Sequence, residues 1–487
     1  NSNIRGGTIY AVNNNTGIFG DMYEIKPKDN NTQLLVYANN NGVGISTAAI
    51  SGGTIYVDNN SGTGIRYTNI NDGYVEVRDN KGNGIMYSEI TGGYVTSANH
   101  GIFGYDANES YDKDGISYCN IEGGTVNAKG NSSQGFWYCT IENAVVNAYD
   151  NVQPGIWGST IKSGTVSVYR NGTDGLSNRT SGITASTIQG GTVYTYDNCP
   201  LEHMEGIQTG TVDSIGIDGS LIGKQKSKEK KYASNAVIIS SGNNICIRNS
   251  YINGGTILLK DNNTKRNVTG DTVSRSITGS TVFNSSMTIK ATHELKNNKV
   301  GLSAADNNIF DGGNNIWITG FEIGITGADI RNSIVTVTEN NVGVKLTKGT
   351  LLYMDNSFLT SSNHNMIGLL VTDGVSGVLT SQYIHVHEGD AVVKLNPESA
   401  IRITENKTGV MVRGKSSDNK TVSMLQINKI NDVDNKVVVA NNEVGFEATD
   451  YGIIAIDDGK LILENNETAI KATNNGVVNI ISETGTN

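Results

Sequence analysis

Residues 121–140 read IEGGTVNAKGNSSQGFWYCT, and residues 141–160 read IENAVVNAYDNVQPGIWGST. Both stretches contain an isoleucine, a corner of small residues, a strand that is apolar at alternate positions, an asparagine, and a glycine before a second apolar pair. Repeating units that bury an apolar face only against their neighbours define a solenoid. The isoleucine that begins the unit recurs at Ile4, Ile50, Ile70, Ile90, Ile121, Ile141, Ile161, Ile188 and Ile252.

One asparagine follows the alternating strand of each unit, three residues after its last apolar position. An amide carries both a donor and an acceptor, so copies on successive coils can bond to one another, and asparagine tolerates a left-handed corner. The pattern therefore predicts an internal ladder. Its predicted members are Asn14, Asn60, Asn80, Asn131, Asn151, Asn171, Asn198, Asn262, Asn340, Asn406, Asn441 and Asn466.

Three short strands and their corners fit a coil of about twenty residues, and no stretch shows a helical period. The glycine pair, and the glycine before the second apolar pair, are expected to supply corner angles that a side chain would resist. Irregular coil lengths favour a right-handed parallel β-helix over the left-handed hexapeptide form. The fold class is thus all-β, a β-solenoid with an Asn ladder and loop insertions.

The register of the repeat predicts four segments. Regular coils occupy 1–198, an insertion loop or small subdomain 199–240, looser coils 241–330, and further coils 331–487, ending without a recognisable cap. An end coil without a cap exposes unpaired backbone groups. We therefore expect either that the coil continues in further polypeptide or that its ends stack on another copy.

Composition narrows the class of protein. The 487 residues include 59 Gly and only 4 Pro, which suits many strands and tight corners. The net charge of −10 argues against a nucleic-acid partner. No stretch predicts a membrane span, and a chain that starts at Asn rather than Met suggests processing. Cys119 and Cys139 lie twenty residues apart and should stack on adjacent coils, either as a disulfide or as reduced thiols.

An aromatic residue also recurs in register. If these rings face outward, their apolar faces would form a platform for sugar rings; the alternative is a stack that simply shields one sheet. The residues concerned are Tyr67, Tyr87, Tyr118 and Tyr138, with Trp137 and Trp157 one place earlier in the unit.

Two stretches resemble metal sites in part. Alternating oxygen ligands suit Ca²⁺, although the loop lacks the turn glycine and the closing glutamate of an EF-hand, and a solvated acidic loop is the alternative. These candidate calcium ligands are Asp106, Asn108, Ser110, Asp112 and Asp114. Strand alternation places His385 and His387 on one face with zinc-like spacing, yet no third ligand is identifiable and an exposed polar strand is the alternative.

Catalytic motifs are scattered. Short fragments similar to the polygalacturonase motif set occur at His100–Gly101, at Asp457–Asp458 and at 413–415, but far apart or in the wrong order. No phosphate loop, nucleophile elbow or Cys-x-x-Cys pair is present. The sequence alone therefore predicts that the chain is not an enzyme.

The repeat, the Asn corners and the Val-x-Val-x-x-Asn-Asn-x-x-Gly-Ile/Val runs resemble the passenger β-helices of bacterial autotransporter adhesins and related surface proteins. The resemblance implies export, display at the cell surface, and contact with host cells, microbes or neighbouring copies. We accordingly predict a non-enzymatic extracellular solenoid, an adhesin stalk or passenger segment that binds a surface glycan or protein, with no certain cofactor and Ca²⁺ as a candidate. A fibre subunit that stacks head to tail, and a polysaccharide lyase or hydrolase of the β-helix class, are the alternatives.

Overall fold

A computed structural model gives the fold of the chain. It describes residues 3–101, 113–172, 181–198, 215–243, 245–260, 275–291, 300–363, 366–381, 390–396, 398–430, 436–459 and 461–481. Contacts divide the chain into two compact units: Asn1–Tyr251 with Val268–Gly270, and Ile252–Asn267 with Asp271–Asn487.

The first unit consists of short strands. They are β1 (Gly7–Val12), β2 (Thr16–Ile25), β3 (Leu34–Asn39), β4 (Val43–Asp58), β5 (Ile65–Arg66), β6 (Asn69–Arg78), β7 (Ile85–Met86), β8 (Glu89–Ile90), β9 (Tyr94–Ala98), β10 (Ile116–Ser117), β11 (Asn120–Ile121), β12 (Thr125–Lys129), β13 (Phe136–Trp137), β14 (Thr140–Ile141), β15 (Val145–Tyr149), β16 (Ile156–Trp157), β17 (Thr160–Ile161), β18 (Thr165–Tyr169), β19 (Ser181–Thr184), β20 (Thr187–Ile188), β21 (Thr192–Tyr196), β22 (Ile215–Asp218), β23 (Leu221–Ile222), β24 (Ser234–Ser241) and β25 (Ile245–Arg248).

The second unit follows the same plan, and its first strand begins one residue before the boundary. Its strands are β26 (Tyr251–Lys260), β27 (Arg275–Thr278), β28 (Thr281–Phe283), β29 (Ser286–Lys290), β30 (Val300–Leu302), β31 (Ile309–Asp311), β32 (Asn315–Thr319), β33 (Ile323–Ile325), β34 (Ala328–Arg331), β35 (Ile334–Thr338), β36 (Val342–Leu346), β37 (Leu351–Asp355), β38 (Phe358–Ser362), β39 (Ile367–Val371), β40 (Ser376–Thr380), β41 (Ala391–Leu395), β42 (Ala400–Thr404), β43 (Thr408–Arg413), β44 (Met424–Ile430), β45 (Lys436–Ala440), β46 (Val444–Thr449), β47 (Ile453–Gly459), β48 (Leu461–Glu464), β49 (Thr468–Ala472) and β50 (Val477–Ile481).

Strand pairing confirms the predicted parallel β-helix. In the first unit the coil β13–β14–β15 pairs strand for strand with β16–β17–β18, all in parallel. In the second unit β31, β32 and β33 pair in parallel with β34, β35 and β36. Such parallel connections are right-handed in nearly all proteins. Outside the strands, the described residues include two one-turn 3-10 helices, Lys230–Tyr232 and Ala304–Asp306.

The alternating pattern of the sequence fills the interior. Val126 and Ala128 of β12, and Val166 and Val168 of β18, are completely buried, because successive side chains of a strand point to opposite faces. In the segment 199–240, the strands β22, β23 and β24 pair in parallel with β19, β20 and β21. The predicted division into four segments stays a prediction.

Two kinds of glycine serve different purposes. The second glycine of the pair needs a left-handed angle, as at Gly124 with φ +77°. The glycine before the second apolar pair was expected to serve a corner too, and that reason is wrong for Gly135. A Cβ there would lie 2.6 Å from the Gly155 carbonyl oxygen and 2.8 Å from Asn151 Nδ2, so close approach of the next coil excludes a side chain.

Candidate functional site

A ladder of amide side chains runs through the interior of the first unit. The backbone N–H of each member donates to the side chain of the member on the next coil, as Asn131 does to Asn151 Oδ1 at 3.2 Å. The side chains also bond to each other, with Asn131 Nδ2 donating to Asn151 Oδ1 at 2.7 Å. In chain order the ladder contains Asn41, Asn60, Asn80, His100, Asn131, Asn151, Asn171, Asn198 and Asn243.

In the second unit, Asn340 accepts from the backbone N–H of Phe321 at 2.8 Å, and Asn406, Asn442 and Asn466 form a series. The prediction of Asn441 is wrong. Asn441 occupies the left-handed corner at φ 57°, because β45 ends one residue later than the offset assumed, and the following Asn442 enters the ladder. Asn262 lies outside the described residues.

The sequence pattern missed other ladder members. Asn41 is the last residue of the asparagine run 39–41 and Asn243 is the first of the pair 243–244, and Asn14 donates to Asn41 from an exposed position. At 441–442 the first asparagine takes the corner and the second the ladder, whereas at 340–341 the first takes the ladder and Glu339 takes the corner. The order within an asparagine pair therefore does not decide which residue enters the ladder.

His100 replaces an asparagine in this ladder. Its Nδ1 accepts from the Asn80 backbone N–H at 3.3 Å, so Nε2 carries the proton and donates to Ser97 Oγ at 3.0 Å. Ser97 Oγ in turn donates to the Gly115 carbonyl oxygen at 2.6 Å. Complete burial lowers the pKa of His100 to about 3. The imidazole therefore holds two coils together as a neutral group, and His100–Gly101 is a structural element.

A second interior ladder consists of hydroxyl and thiol groups, and the sequence pattern did not predict it. The Thr68 backbone N–H donates to Ser88 Oγ, and the Ser88 N–H donates to Cys119 Sγ at 3.4 Å. Further along, the Cys139 N–H donates to Ser159 Oγ at 3.0 Å. Cys119 and Cys139 are buried free thiols in this structure, and burial raises the pKa of the Cys119 thiol. Each thiol thus occupies a ladder position that serine fills elsewhere.

The predicted aromatic file lies on the surface. Tyr67, Tyr87, Tyr118 and Tyr138 are 39–54% exposed, and consecutive rings stack with centroids 5.1–5.7 Å apart and planes 7–20° from parallel. Half-buried Trp137 leans on Tyr118 and Tyr138, and Trp157 pairs in register with Trp137. Because the tyrosine rings cover one another, they present mainly edges and hydroxyls to solvent.

The candidate metal sites lie largely outside the described residues. This holds for Asp106, Asn108, Ser110, Asp112, His385 and His387. Asp114 is buried, and its Oδ1 accepts from the Gln134 backbone N–H at 3.3 Å. Within the described ranges, no group of three or more His, Cys, Asp or Glu is placed to hold a metal ion.

Acidic, basic and phenolic side chains meet on the outward face of β31, β34, β37 and β41. Asp311, Arg331 and Asp355 are in register on three successive strands. One row along, Asp329, Tyr353 and Lys394 are in register as well. All six are only partly buried, whereas the alternate residues Phe310, Ile330 and Met354 fill the interior. We call these six residues the Arg331 cluster.

Hydrogen bonds fix the centre of the Arg331 cluster. Arg331 Nε and Nη2 donate to the two carboxylate oxygens of Asp329, both at 2.8 Å. These bonds raise the pKa of Arg331, so it is a permanent cation. Its guanidinium lies 5.3 Å from the centre of the Tyr353 ring, and Asn396 Nδ2 donates to the Tyr353 hydroxyl.

A cleft opens beside the Arg331 cluster. Its volume is about 280 Å³, and Ile309, Ala328, Leu351 and the cluster members Asp329 and Tyr353 line it. Apolar walls with a few convergent polar groups are typical of binding sites. Sequence motifs did not reveal this place, because its members lie between positions 311 and 394 and only the coil register brings them together.

The other polygalacturonase-like fragments do not join the cluster. Asp457 lies on β47, and Arg413 ends β43. Among the described residues, no helix is long and apolar enough to cross a membrane.

Comparisons with known proteins give a likeness of fold. No family model and no curated protein matches the chain. Solved structures that are similar include an Arg-to-Ala mutant of a PL6-family alginate lyase, at 9% identity and a TM-score of 0.20, over 98% of this chain and 96% of the other. Another is the A-module of the Azotobacter vinelandii mannuronan C-5 epimerase AlgE6, at 9% identity and a TM-score of 0.15, over 98% and 92%.

Both of these solved structures are of enzymes. They contradict two predictions from the sequence, that the chain is an adhesin stalk and that it is not an enzyme. The alternative of a β-helix enzyme acting on polysaccharide agrees better with these comparisons. At such low identity and TM-score the likeness transfers no activity and no catalytic residue to this chain. Any assignment of chemistry must come from the Arg331 cluster itself.

Proposed function

We propose that the chain is a polysaccharide-cleaving enzyme that hydrolyses glycosidic bonds at the Arg331 cluster. The observation that carries the proposal is the row in which Asp311 and Asp355 lie on either side of Arg331. Two strand spacings separate their Cα atoms, which is about 10 Å. Inverting glycosidases hold their two carboxyl groups roughly 6.5–9.5 Å apart, leaving room for a water molecule, so the two side chains need to lean only slightly toward each other to reach that separation.

The chemistry requires one carboxylic acid and one carboxylate. The acid gives its proton to the glycosidic oxygen, which leaves with the electrons of the bond to the anomeric carbon. The carboxylate takes a proton from water, whose oxygen bonds to the opposite face of that carbon. Asp311 and Asp355 fill these two roles, because both carboxylate oxygens of Asp329 are already engaged by Arg331.

The rest of the Arg331 cluster positions the sugar. The pairing of Arg331 with Asp329 fixes the guanidinium beside that residue on β34. Tyr353 and Leu351 give the adjoining cleft an apolar wall, against which a sugar ring can pack. An extracellular location, expected from the sequence, stays part of this proposal, because polymeric substrates are met outside the cell.

The test is incubation of the purified chain with a panel of acidic and neutral polysaccharides. New reducing ends, released without an unsaturated sugar and with inverted anomeric configuration, are the expected result. An unsaturated product would show elimination and would contradict hydrolysis by Asp311 and Asp355. No product from any member of a broad panel would contradict the proposal as a whole.

A further inference from the structure

The strands that follow the Arg331 cluster in each coil form a second outward face with an unusual charge. It consists of β29, β32, β35, β38 and β42, which pair in parallel in that order. In a chain of net charge −10, these strands contain no Asp or Glu. Their charged residues are Lys290, Arg402 and no others, and neither forms an ion pair with a described residue.

Exposed apolar side chains occupy the middle of this face. Trp317 is 42% exposed, Ile334 51% and Phe358 52%. The Trp317 ring makes no aromatic or cationic contact with a described residue, in contrast to the stacked tyrosines of the first unit. The indole is therefore covered neither by another described ring nor by a described cation.

Hydroxyl groups surround the indole. Thr288 and Thr336 lie in register with Trp317 on the two neighbouring strands, and Thr360 follows on the next. From Trp317 to Phe358 the distance is about 12 Å, given two strand spacings and two residues along the strand. This is roughly the length of a disaccharide. A surface that alternates ring faces with hydroxyls matches the alternating C–H and O–H groups of a sugar chain.

We propose that this face, the Trp317 surface, binds a carboxylated polysaccharide and delivers it to the Arg331 cluster. The inference rests on the proposed function and names its substrate class. Sugar rings stack on Trp317 and Phe358, and Arg402 and Lys290 attract the carboxylates. Only Asn332 and Ser333 separate β34 of the cluster from β35 of the Trp317 surface, so a chain bound to one lies beside the other.

The mixture of apolar and hydroxyl-bearing side chains favours this occupant over a second copy of the chain. Another copy would be acidic overall, but it would have to cover an apolar area interrupted by hydroxyls in every row. A flexible sugar polymer can satisfy rings, hydroxyls and cations together. Self-association is therefore an outcome that the test must detect.

The experiment is native gel electrophoresis of the full chain through polygalacturonate, with fully methyl-esterified polygalacturonate as the neutral probe of the same backbone. Polygalacturonate should retard the wild type, and the neutral probe should retard it less. Trp317→Ala should weaken retardation about tenfold, since a ring contact contributes about 1.4 kcal/mol. Trp317→Phe should recover part of it, and Arg402→Gln should weaken binding at low salt alone.

The controls separate this inference from the proposed function. Asp355→Asn should abolish cleavage and leave retardation intact, and thermal melting of each variant reports folding. Cleavage that fails while Trp317-dependent retardation persists would sink the hydrolase proposal and leave the Trp317 surface standing. Retardation unaffected by Trp317→Ala, no retardation at all, or a dimer that Trp317→Ala dissociates would overturn the inference.

Discussion

The coils around 116–196 and those around 309–395 share one three-strand plan but differ in what their outward faces repeat. In the first region the same residue type recurs on successive coils: the rings of Tyr149, Tyr169 and Tyr196 stack with centroids 5.0 and 4.7 Å apart. In the second, Asp329, Tyr353 and Lys394 succeed one another in a single row. Repetition uses each side chain to hold the next coil, whereas a break in repetition brings acidic, basic and phenolic groups together on one surface.

The same contrast separates interior from exterior. Asparagines and serines in register accept hydrogen bonds from buried backbone N–H groups at the corners of many coils. These ladders have the same structural role wherever they occur. The Arg331 cluster has no counterpart among the described coils of 116–172, whose outward ion pairs, such as Arg170 with Asp150, simply connect successive coils. Substitutions in the Arg331 cluster should therefore change activity, whereas substitutions in the ladders should change stability, and the two effects should differ in size.

The largest effect is expected on catalysis. Replacing Asp355 with Asn removes one member of the acid–base pair, and kcat should fall by roughly 10²–10⁴-fold. Reducing-end release from the best substrate measures it. Asp373→Asn is the matched control, because Asp373 is a highly exposed aspartate on the loop after β39, outside the cluster. Equal activity of the two variants would contradict the role of Asp355.

The ladder should respond through stability alone. Asn151→Ala removes the acceptor of the Asn131 side chain and the donor to the Ala128 carbonyl oxygen, leaving buried polar groups unsatisfied. We expect a loss of about 3 kcal/mol in the free energy of unfolding, measured by denaturant titration. Asn14→Ala, at an exposed position, should change it by less than about 0.5 kcal/mol. A similar loss in both variants would mean that burial does not set the strength of the ladder.

His100 breaks the ladder's repetition without leaving the interior, and it should make the first unit acid-sensitive. Burial lowers its pKa to about 3, while in the unfolded chain the imidazole takes up a proton near 6.5. Its contribution to stability is complete above pH 6.5 and is lost as the pH falls toward 3. At pH 5 the loss is about 2 kcal/mol.

Replacing His100 with Asn should remove that loss, since Asn80 and Asn131 fill the neighbouring positions. The measurement is the difference in unfolding free energy between pH 7 and pH 5, for wild type and variant. The other histidines of the chain are common to both proteins and cancel. If wild type and variant lose the same unfolding free energy between pH 7 and pH 5, protonation of His100 does not destabilise the folded chain.

The contrast between repeated and non-repeated side chains also decides which features could be predicted from the sequence. Repetition is visible in a sequence, so the parallel β-helix, most of the Asn ladder and the tyrosine file, though not its outward orientation, could be predicted from it. Asn441 was misplaced because the corner and the ladder both accept asparagine. The Ser88–Cys119 ladder was missed because small polar residues at corners have many other roles.

The candidate site could not be predicted, for a physical reason. Asp311, Arg331 and Asp355 become neighbours through coil lengths of 20 and 24 residues, which are known only once the strands are paired. A motif search looks for chemistry within short windows of sequence. A solenoid brings together residues from separate windows, and a prediction drawn from short motifs alone takes no account of such sites.

The smallest effect is expected at the tyrosine file. Tyr87 sits at φ 49°, a left-handed angle that costs a side chain about 1–2 kcal/mol, and it stacks on Tyr67 and Tyr118. Each stack contributes about 0.5–1.5 kcal/mol. Tyr87→Asn relieves part of the strain but loses both stacks, so we expect a net loss of about 1 kcal/mol in unfolding free energy. Tyr87→Phe, which keeps ring and strain, should match the wild type. A variant Tyr87→Asn more stable than the wild type would mean that the file is kept for something other than stability, and would restore the tyrosines as a binding surface.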